Sequence, residues 1–293
     1  MKFSLIIPTI NRVQEVELLF QSLLAQDYEN FEVIVVDQNP DDRLVKLADF
    51  YRQHFPILHI KESKPGQSRA RNIGFSYVQG DLVAFPDDDC LYPPGLLTQI
   101  AYFFKDTSNW DGLICRVYDL DEDSNAFEPC GDDQSQEVDY PKGYKVCVSC
   151  AMFFRADICR KISFDETLGQ GAGTPWGSGD ETDYLFRCLD TGYRFFYNST
   201  LIVRHPNPLK HNTFQKQIQR EYGYGIGRGY FLATHPLPQS LLRSEYLEPY
   251  KQTLLELFNC NLRRASYFLT KGIGTSVGYQ AGLKKHRELK EAI

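Results

Sequence analysis

The sequence predicts an α/β fold: a doubly wound, mostly parallel sheet flanked by helices, with a helical C-terminal extension. Three observations carry this prediction. Short apolar runs are rich in β-branched residues, segments of helical period lie between them, and a long helical pattern ends the chain. Alternating strands and helices are typical of a parallel sheet that is covered by helices on both faces.

Four short runs in the first 85 residues have the composition of buried parallel strands. They are FSLII at 3–7, FEVIVV at 31–36, ILHI at 57–60 and LVAF at 82–85. Strands that are buried on both faces read as nearly continuous apolar runs. Because ligands bind beyond the carboxyl ends of the strands in such sheets, the polar residues after each run are the first candidates for a site.

Three segments between these runs carry apolar residues at the i, i+3, i+4 spacing of one helix face. The stripes are Val13, Val16, Leu19, Phe20, Leu23 and Leu24; Leu44, Leu47, Phe50 and Tyr51; and Ala70, Ile73 and Tyr77. We expect each of these helices to pack on the sheet.

The elements after Pro94 are less regular. We expect, in order, a helix at Leu96–Phe104, a strand in GLICRVYDL, a polar loop at Asp121–Lys142, a strand in KVCVSCAMFF and a helix from Asp180 to Leu189. The remainder, 208–293, is mostly helical in pattern. We expect its helices to be interrupted at YGYGIGRGY and at the prolines Pro236 and Pro238.

The distribution of charge suggests two domains, 1–205 and 206–293. The chain of 293 residues has a net charge of −6, but residues 206–293 hold 13 Lys and Arg against 6 Glu and no Asp, a net +7. A basic tail on an acidic body suggests contact with an anionic surface such as a membrane or a phosphorylated lipid, and the alternative is a solvated set of basic helices.

The N-terminal stretch MKFSLIIPTINR is not expected to be a signal peptide, because its apolar run is short. No window of 18 uncharged apolar residues is present, so no transmembrane helix is expected. Eight cysteines without a signal peptide read as reduced thiols. We therefore expect a cytoplasmic protein.

The positions of the glycines exclude two nucleotide-binding motifs. The first glycine of the chain is Gly66. A dinucleotide fold needs its glycines after the first strand, and a P-loop needs Gly and Lys before a helix. If the α/β domain binds a nucleotide, it must use other contacts.

The stretch VAFPDDDC runs an apolar strand into three consecutive aspartates, Asp87–Asp89. Adjacent like charges repel, and the cost grows where solvent is excluded. Either the run is a solvated acidic turn, or Asp87 and Asp89 share a hard divalent cation. Mg²⁺ is held by one or two carboxylates plus substrate phosphates, and Mn²⁺ accepts the same oxygen ligands.

Several motifs follow the predicted strands in order: PT-x-NR after the first strand, VVDQN after the second, KPGQSRARNIG after the third, PDDD after the fourth, then WGSGDETDYLFRCLDTGYRFFY and YNSTLIVRHP. This order of motifs resembles the family 2 glycosyltransferases of GT-A fold. The resemblance spans roughly residues 3–205, and the joint pattern is far more specific than any one motif.

The resemblance implies a site for a nucleotide-diphosphate sugar at the edge of the sheet. The residues that it places there are Pro8, Thr9, Asn11, Arg12, Asp37, Lys64, Arg71, Asn72, Asp87 and Asp88. It implies a metal, Mn²⁺ or Mg²⁺, on Asp89 and Asp87. His205 either completes the metal or diphosphate site or is a histidine without such a role.

The resemblance also implies a catalytic base among the acidic residues that open the helix at Asp180. Position matching puts Glu181 at the family's catalytic aspartate, and Asp180 is the alternative. Carboxylates in the first turn of a helix are favoured by its dipole whatever their function. Trp176, just before, either stacks on an acceptor sugar or anchors the core.

The implied activity is inverting, metal-dependent transfer of a sugar from a nucleotide-diphosphate sugar to a hydroxyl acceptor, saccharide or lipid-linked, in bacterial-type polysaccharide or glycolipid synthesis. We expect peripheral membrane contact through the basic C-terminal helices and no nucleic-acid partner. Two alternatives stay open: a non-catalytic sugar-nucleotide-binding protein and a sugar-phosphate nucleotidyltransferase. The second would want a Gly-rich basic loop after the first strand, which PTINRVQ does not supply.

Overall fold

A computed structural model of the chain describes residues 1–107, 109–127, 131–207 and 213–291. They form two compact units, one of Met1–Asp165 with Tyr184–Pro208 and one of Glu166–Asp183 with Leu209–Ile293. Residues 128–130 of the predicted polar loop, and 208–212 and 292–293 of the predicted C-terminal region, lie outside the described residues. The functional domains predicted as 1–205 and 206–293 stay a prediction.

Eight strands of the described chain form one sheet in the order β3-β2-β1-β4-β7-β5-β8-β6. The strands are β1 (Phe3–Thr9), β2 (Phe31–Asp37), β3 (Ile57–Lys61), β4 (Leu82–Ala84), β5 (Gly112–Asp119), β6 (Gln136–Glu137), β7 (Met152–Arg155) and β8 (Phe195–His205). Strand β1 runs parallel to β2 and β4, β2 to β3, and β5 to β8. Strand β7 is antiparallel to β4 and β5, and β6 is antiparallel to β8. The predicted mostly parallel sheet is confirmed.

Of the helices that lie in the first unit, the first four were predicted and the two that follow them were not. They are α1 (Gln14–Leu24), α2 (Val45–Tyr51), α3 (Gln67–Phe75), α4 (Leu96–Asp106), α5 (Tyr140–Val146) and α6 (Ala156–Cys159), and α7 (Asp180–Asp190) starts in the second unit. The second unit continues with α8 (Phe214–Thr234), α9 (Gln239–Phe258) and α10 (Leu262–Glu291). No helix in the described part of the chain has the length and apolar content needed to cross a membrane.

The sheet is covered on both faces, as the alternation of strands and helices predicts. On one face, Phe3, Leu5 and Ile7 of β1 belong to a buried core with apolar residues of α1, α2 and α4. On the other face α3 lies so close to β1 that a Cβ on Gly74 would come within 2.4 Å of the Ile6 side chain. Helices on both faces are the doubly wound arrangement.

Several predictions of local structure were wrong. The polar loop predicted at Asp121–Lys142 contains strand β6 and the start of α5. The stretch KVCVSCAMFF is a strand only from Met152. Before that, α5 begins at a cap formed by Asp139, whose side chain accepts a hydrogen bond from the backbone of Lys142, and Pro141 lies in its first turn. The stretch YGYGIGRGY does not interrupt a helix but lies within α8. The predicted break at Pro236 and Pro238 is confirmed, because α8 ends before them and α9 begins after them.

Candidate active site

The aspartate turn lies at the carboxyl end of β4 and is fixed to the end of β8. The backbone of Leu91 pairs with that of Arg204 through two hydrogen bonds of 2.8 and 2.9 Å. This pairing brings Asp89 next to His205, although 116 positions separate the two residues in the sequence. The edge predicted from the strand order is therefore the place where the polar residues meet.

Asp88 and Asp89 are held by an arginine from the turn after β1. Arg12 Nη1 lies 2.7 Å from Asp88 Oδ1 and also contacts Asp89 Oδ2. The other oxygen of Asp89 lies 3.2 Å from His205 Nε2. These carboxylates are only 12–14% exposed, so the neighbouring cations offset much of the repulsion that the sequence raises.

Asp87 faces a different set of partners. Its Oδ1 lies 3.3 Å from Arg71 Nη2, 3.2 Å from Gln67 Nε2 and 3.4 Å from Ser149 Oγ. Its Oδ2 lies 3.8 Å from His205 Nε2. Arg71 is completely buried, and its guanidinium lies 5.1 Å from the ring centre of Phe164. One oxygen of Asp87 is thus directed into the protein, and the other faces His205.

The environment moves the pKa values of the turn in opposite directions. Burial and the charges of Asp89 and Asp87 raise the pKa of Asp88 to about 7, against the opposing effect of Arg12. Burial also acts on Asp89, but the hydrogen bond and charge of His205, with Arg12, lower the pKa of Asp89 to about 2. For His205, burial is outweighed by Asp89 and Asp87, which raise its pKa. The cluster is therefore a coupled network rather than three independent acids.

The turn after β1 is shaped to direct Arg12 at the aspartates. Asn11 has a φ of 61°, a left-handed conformation that asparagine tolerates better than most residues. Its backbone N–H donates to Asn39 Oδ1 at 2.6 Å, which ties the β1 turn to the turn after β2. Two residues of the PT-x-NR motif therefore have separate roles, because Asn11 supplies the bend and Arg12 supplies the cation that contacts the aspartates.

Asp37 is completely buried at the end of β2, and both of its oxygens have donors. Oδ1 accepts from the backbone and side-chain amides of Asn39 at 2.8 and 2.7 Å. Oδ2 lies 2.9 Å from His59 Nε2 and 3.2 Å from Lys61 Nζ. Burial alone would raise the pKa of Asp37, but these donors lower it. Asp37 thus orders the loop that contains Asn39.

The other residues predicted for the donor site lie along the same edge. Pro8 and Thr9 end β1, and the hydroxyl of Thr9 is buried close to the carboxyl group of Asp88. Lys64 is exposed, and its carbonyl accepts from Gln38 at 2.7 Å. Asn72 differs, because its amide donates to the carbonyl of Phe164 at 3.0 Å and accepts from its N–H at 2.8 Å.

The side chains of Asp87, Asp89 and His205 offer a donor set suited to a divalent cation. One oxygen of Asp89 lies 3.2 Å from His205 Nε2 and one oxygen of Asp87 lies 3.8 Å from it, and Mn²⁺ accepts both oxygen and imidazole ligands. Within the described ranges, no group of three His, Cys, Asp or Glu is already arranged to hold a metal. The carboxylates are instead paired with cationic side chains. The residues fit a metal whose remaining ligands come from phosphates.

The two candidate bases belong to the second unit, at the start of α7. Asp180 is 3% exposed, and a Cβ on Gly169 would come within 2.8 Å of its carboxyl carbon. Glu181 is less buried than Asp180. Burial raises the pKa of Tyr224, and the negative charges of Glu181 and Asp180 raise it further, whereas Arg220 acts in the opposite direction. Of the two carboxylates, Glu181 is the more accessible.

Trp176 precedes these carboxylates and packs against α8. Its ring stacks on Tyr230, with ring centres 4.4 Å apart and planes 19° from parallel. The residue is only partly buried. One face of the indole therefore has an aromatic partner within the second unit.

Sequence reasoning missed several residues that complete the site. They are Asn39, His59, Lys61, Gln67 and Ser149. His59 and Lys61 are two positions apart on β3, so their side chains lie on the same face of the sheet. This spacing could have indicated that the two side chains share a site. Ser149 carries no such signal, since it reaches Asp87 from a distant part of the chain.

Comparison with known proteins supports the fold and the family. Residues 4–162 match the sequence model of a family described as Glycosyl transferase family 2. The poly(ribitol-phosphate) beta-N-acetylglucosaminyltransferase TarS of Staphylococcus aureus (strain Mu50 / ATCC 700699) is 32% identical over 121 residues, which cover 40% of this chain and 21% of that protein. The chain spans about a fifth to a third of the length of the curated relatives that it matches.

Two solved structures are similar over most of the chain. A structure of S. aureus TarS 1-349 in complex with UDP-GlcNAc has a TM-score of 0.59 at 17% identity, covering 98% of this chain and 92% of that one. The mannosyltransferase PcManGT from Pyrobaculum calidifontis, in complex with GDP-Man and Mn²⁺, has a TM-score of 0.65 at 14% identity, covering 94% and 86%. At these identities the likeness concerns the fold, which is the predicted GT-A type.

Proposed function

Because the chain belongs to glycosyl transferase family 2, we propose that it transfers a sugar from a nucleotide-diphosphate sugar to a hydroxyl acceptor with inversion at the anomeric carbon. The observation that carries the proposal is the meeting of Asp87, Asp89 and His205 with Arg12 and Arg71 beyond the carboxyl ends of β1 and β4. Carboxylates beside cationic groups are suited to a metal-bound diphosphate.

The donor would lie along this edge of the sheet. The loops at Thr9–Arg12 and Asp37–Asn39 would receive the base and ribose. Arg71 and Lys64 would face the diphosphate. Asn72 would act indirectly, through Phe164. TarS bound to UDP-GlcNAc and PcManGT bound to GDP-Man support a nucleotide sugar as donor.

Asp89 and Asp87, with His205, would hold Mn²⁺ or Mg²⁺. Such an ion offsets negative charge on a departing diphosphate. The Mn²⁺ in the PcManGT complex supports this assignment. Asp89 is the better ligand, because Oδ1 of Asp87 is already directed at Arg71, Gln67 and Ser149. Arg12 would have to release Asp89 when the metal-bound donor enters.

Glu181 would be the base. The acceptor oxygen forms a bond to the anomeric carbon while the bond from that carbon to the diphosphate oxygen breaks, and the electron pair leaves with the diphosphate. Glu181 takes the proton of the acceptor hydroxyl during this single displacement. Its greater exposure favours it over the buried Asp180, because a base must reach the acceptor.

The acceptor is proposed to be a saccharide or lipid-linked saccharide at the cytoplasmic face of a membrane. Apolar side chains where α9 meets α10 are exposed, with Phe258 88%, Leu262 72% and Leu254 69% exposed. Apolar burial together with cationic attraction is what a peripheral helix needs to bind an anionic membrane. Flotation with anionic liposomes tests this: the protein should float, and a Phe258→Ser, Leu262→Ser variant should float less. Equal recovery of both proteins in the liposome-free fraction would refute the contact.

Turnover of a panel of UDP-, GDP-, dTDP- and CMP-linked sugars, with and without Mn²⁺, tests the activity. The proposal predicts metal-dependent release of the nucleotide from at least one donor, lost in Asp89→Ala. Absence of turnover and of any difference between wild type and Asp89→Ala would favour a binding protein. Formation of nucleotide sugar from a sugar phosphate and a nucleoside triphosphate would favour a nucleotidyltransferase.

A further inference from the structure

One face of helix α8 is directed at the loop that carries the candidate bases. Residues 220, 224, 227, 231 and 235 follow the i, i+4, i+7, i+11, i+15 spacing of a single helix face, and residue 235 lies just beyond the helix end. Every residue of the contacts that follow belongs to the second unit. This face meets residues 176–183, which lead into α7.

Gly227 allows the closest approach on this face. A Cβ at Gly227 would come within 2.5 Å of both the carbonyl and the hydroxyl oxygen of Ser178. The Ser178 hydroxyl donates to the carbonyl of Tyr224 at 3.0 Å, one turn earlier on α8. Any side chain larger than hydrogen at position 227 would therefore displace the backbone two residues before Asp180.

Two further contacts hold the loop on either side of Ser178. Before it, Trp176 stacks on Tyr230. After it, Asp183 Oδ1 lies 3.2 Å from His235 Nε2, and both side chains are less than 10% exposed. The His235 ring packs 4.3 Å from that of Phe231. Glu181 thus lies between contacts on both sides, all of which come from α8 and the residue after it.

The opposite face of α8 packs closely against α10, and this packing limits the movement of α8 under the loop. Residues two apart in a helix point in nearly opposite directions, since each residue turns the helix by about 100°. A Cβ on Gly225 would come within 2.3 Å of the Lys271 carbonyl, and one on Gly229 within 1.9 Å of the Thr275 carbonyl. The alternating glycines of YGYGIGRGY therefore serve two helix faces, with Gly227 on the side of the loop.

We propose that α8 positions the catalytic carboxylate, with Gly227, Tyr230 and His235 as positioning residues that hold the loop bearing Asp180 and Glu181. This inference rests on the proposed function, because it assigns the base to that loop. The donor residues Asp87, Asp89 and Arg71 lie in the other unit. Disturbing α8 should therefore slow the chemical step and leave donor binding unchanged.

The test compares Gly227→Ala with Gly223→Ala, a matched control because nothing lies within 4 Å of a Cβ at Gly223. Both are made in a Trp110→Phe background. The chain has two tryptophans, so all tryptophan fluorescence then comes from Trp176. In Gly227→Ala, acrylamide should quench Trp176 emission more strongly and kcat for sugar transfer should fall ~100-fold, the scale of a misplaced group, with the donor KM unchanged. Gly223→Ala should match its parent in all three measurements.

If Gly227→Ala does not fold, the Ser178→Ala variant tests the same contact between the loop and α8. It removes the hydrogen bond to Tyr224 without adding bulk, and should lower kcat about tenfold at constant donor KM. A folded Gly227→Ala with parental quenching, a parental kcat in both variants, or a loss confined to donor KM would overturn the proposal. If the parent transfers no sugar from any donor, the proposed function fails, whereas Trp176 quenching still tests the contact between loop and helix.

Discussion

Arg12 is the counter-charge of the aspartate turn, and replacing it by glutamine tests whether the turn is built around cations. Arg12 Nη1 contacts both Asp88 and Asp89, so Arg12→Gln leaves two adjacent carboxylates with less compensation. His205 still faces Asp89, but Asp88 loses its ion-pair partner in the site. Without metal, the variant should unfold more easily than wild type.

The size of the effect follows from the exposure of the groups. Breaking a buried pair costs about 3–5 kcal/mol and an exposed one about 0–1 kcal/mol. The carboxylates are 12–14% exposed, but Arg12 is 38% exposed, so solvent screens part of the interaction. We expect a loss of about 2 kcal/mol in the free energy of unfolding, which lowers the melting temperature by roughly 4–8 °C for a unit of this size.

The assay is thermal unfolding of wild type, Arg12→Gln and Arg12→Lys, each with and without Mn²⁺. Arg12→Lys keeps the charge and should lie close to wild type. Mn²⁺ should raise the melting temperature of Arg12→Gln more than that of wild type, because Arg12 no longer competes for Asp89 and a ligand that binds only the native state stabilises it. A metal-free Arg12→Gln as stable as wild type, or an equal response to Mn²⁺, would refute the reasoning.

Three further predictions concern other parts of the site. The lowered pKa of Asp37 gives stability that is present above its unfolded pKa of about 3.9 and is lost as the pH falls through the folded value. The free energy of unfolding should therefore fall less steeply with acid in Asp37→Asn than in wild type. Parallel curves for the two proteins would contradict this. Asn72→Ala should cost about 1–3 kcal/mol of stability, measured by urea unfolding, because the backbone of Phe164 loses its hydrogen bonds to the Asn72 side chain, and an unchanged urea midpoint would contradict this. Glu181→Gln should lower kcat about 100- to 10,000-fold with donor affinity retained, and a larger loss in Asp180→Asn would reassign the base.

The first half of the sheet and its site edge were predictable from local pattern. Strands β1, β2 and β4 are buried apolar runs, and their ends bring the residues around Thr9, Asp37 and Asp87 to one edge without any knowledge of tertiary contacts. Strand β3 was also predicted to be buried, but only Ile57 of this strand is. Parallel pairing then fixes which ends meet, since β1 lies between β2 and β4.

What could not be predicted depends on contacts between distant segments. The pairing of Leu91 with Arg204 brings His205 to Asp89, and no local signal specifies that register. The prediction of a strand at KVCVSC was wrong because it relied on the apolar content of this stretch and did not use the helix-capping residue Asp139 that precedes it. Glycine lowers helix propensity, but the close approach of α10 makes glycine necessary at Gly225 and Gly229. Tertiary packing decides such positions.

Calorimetric titration of the nucleoside diphosphates UDP, GDP, dTDP and CDP, in the presence and absence of Mn²⁺, tests the central claim most directly. If the turn at Asp87–Asp89 holds a metal-bound diphosphate, at least one of the four binds wild type in a Mn²⁺-dependent manner, and Asp89→Asn loses that dependence while its fold is retained. Binding to wild type that is indifferent to Mn²⁺, or binding to Asp89→Asn that equals wild type with Mn²⁺ present, would contradict the account.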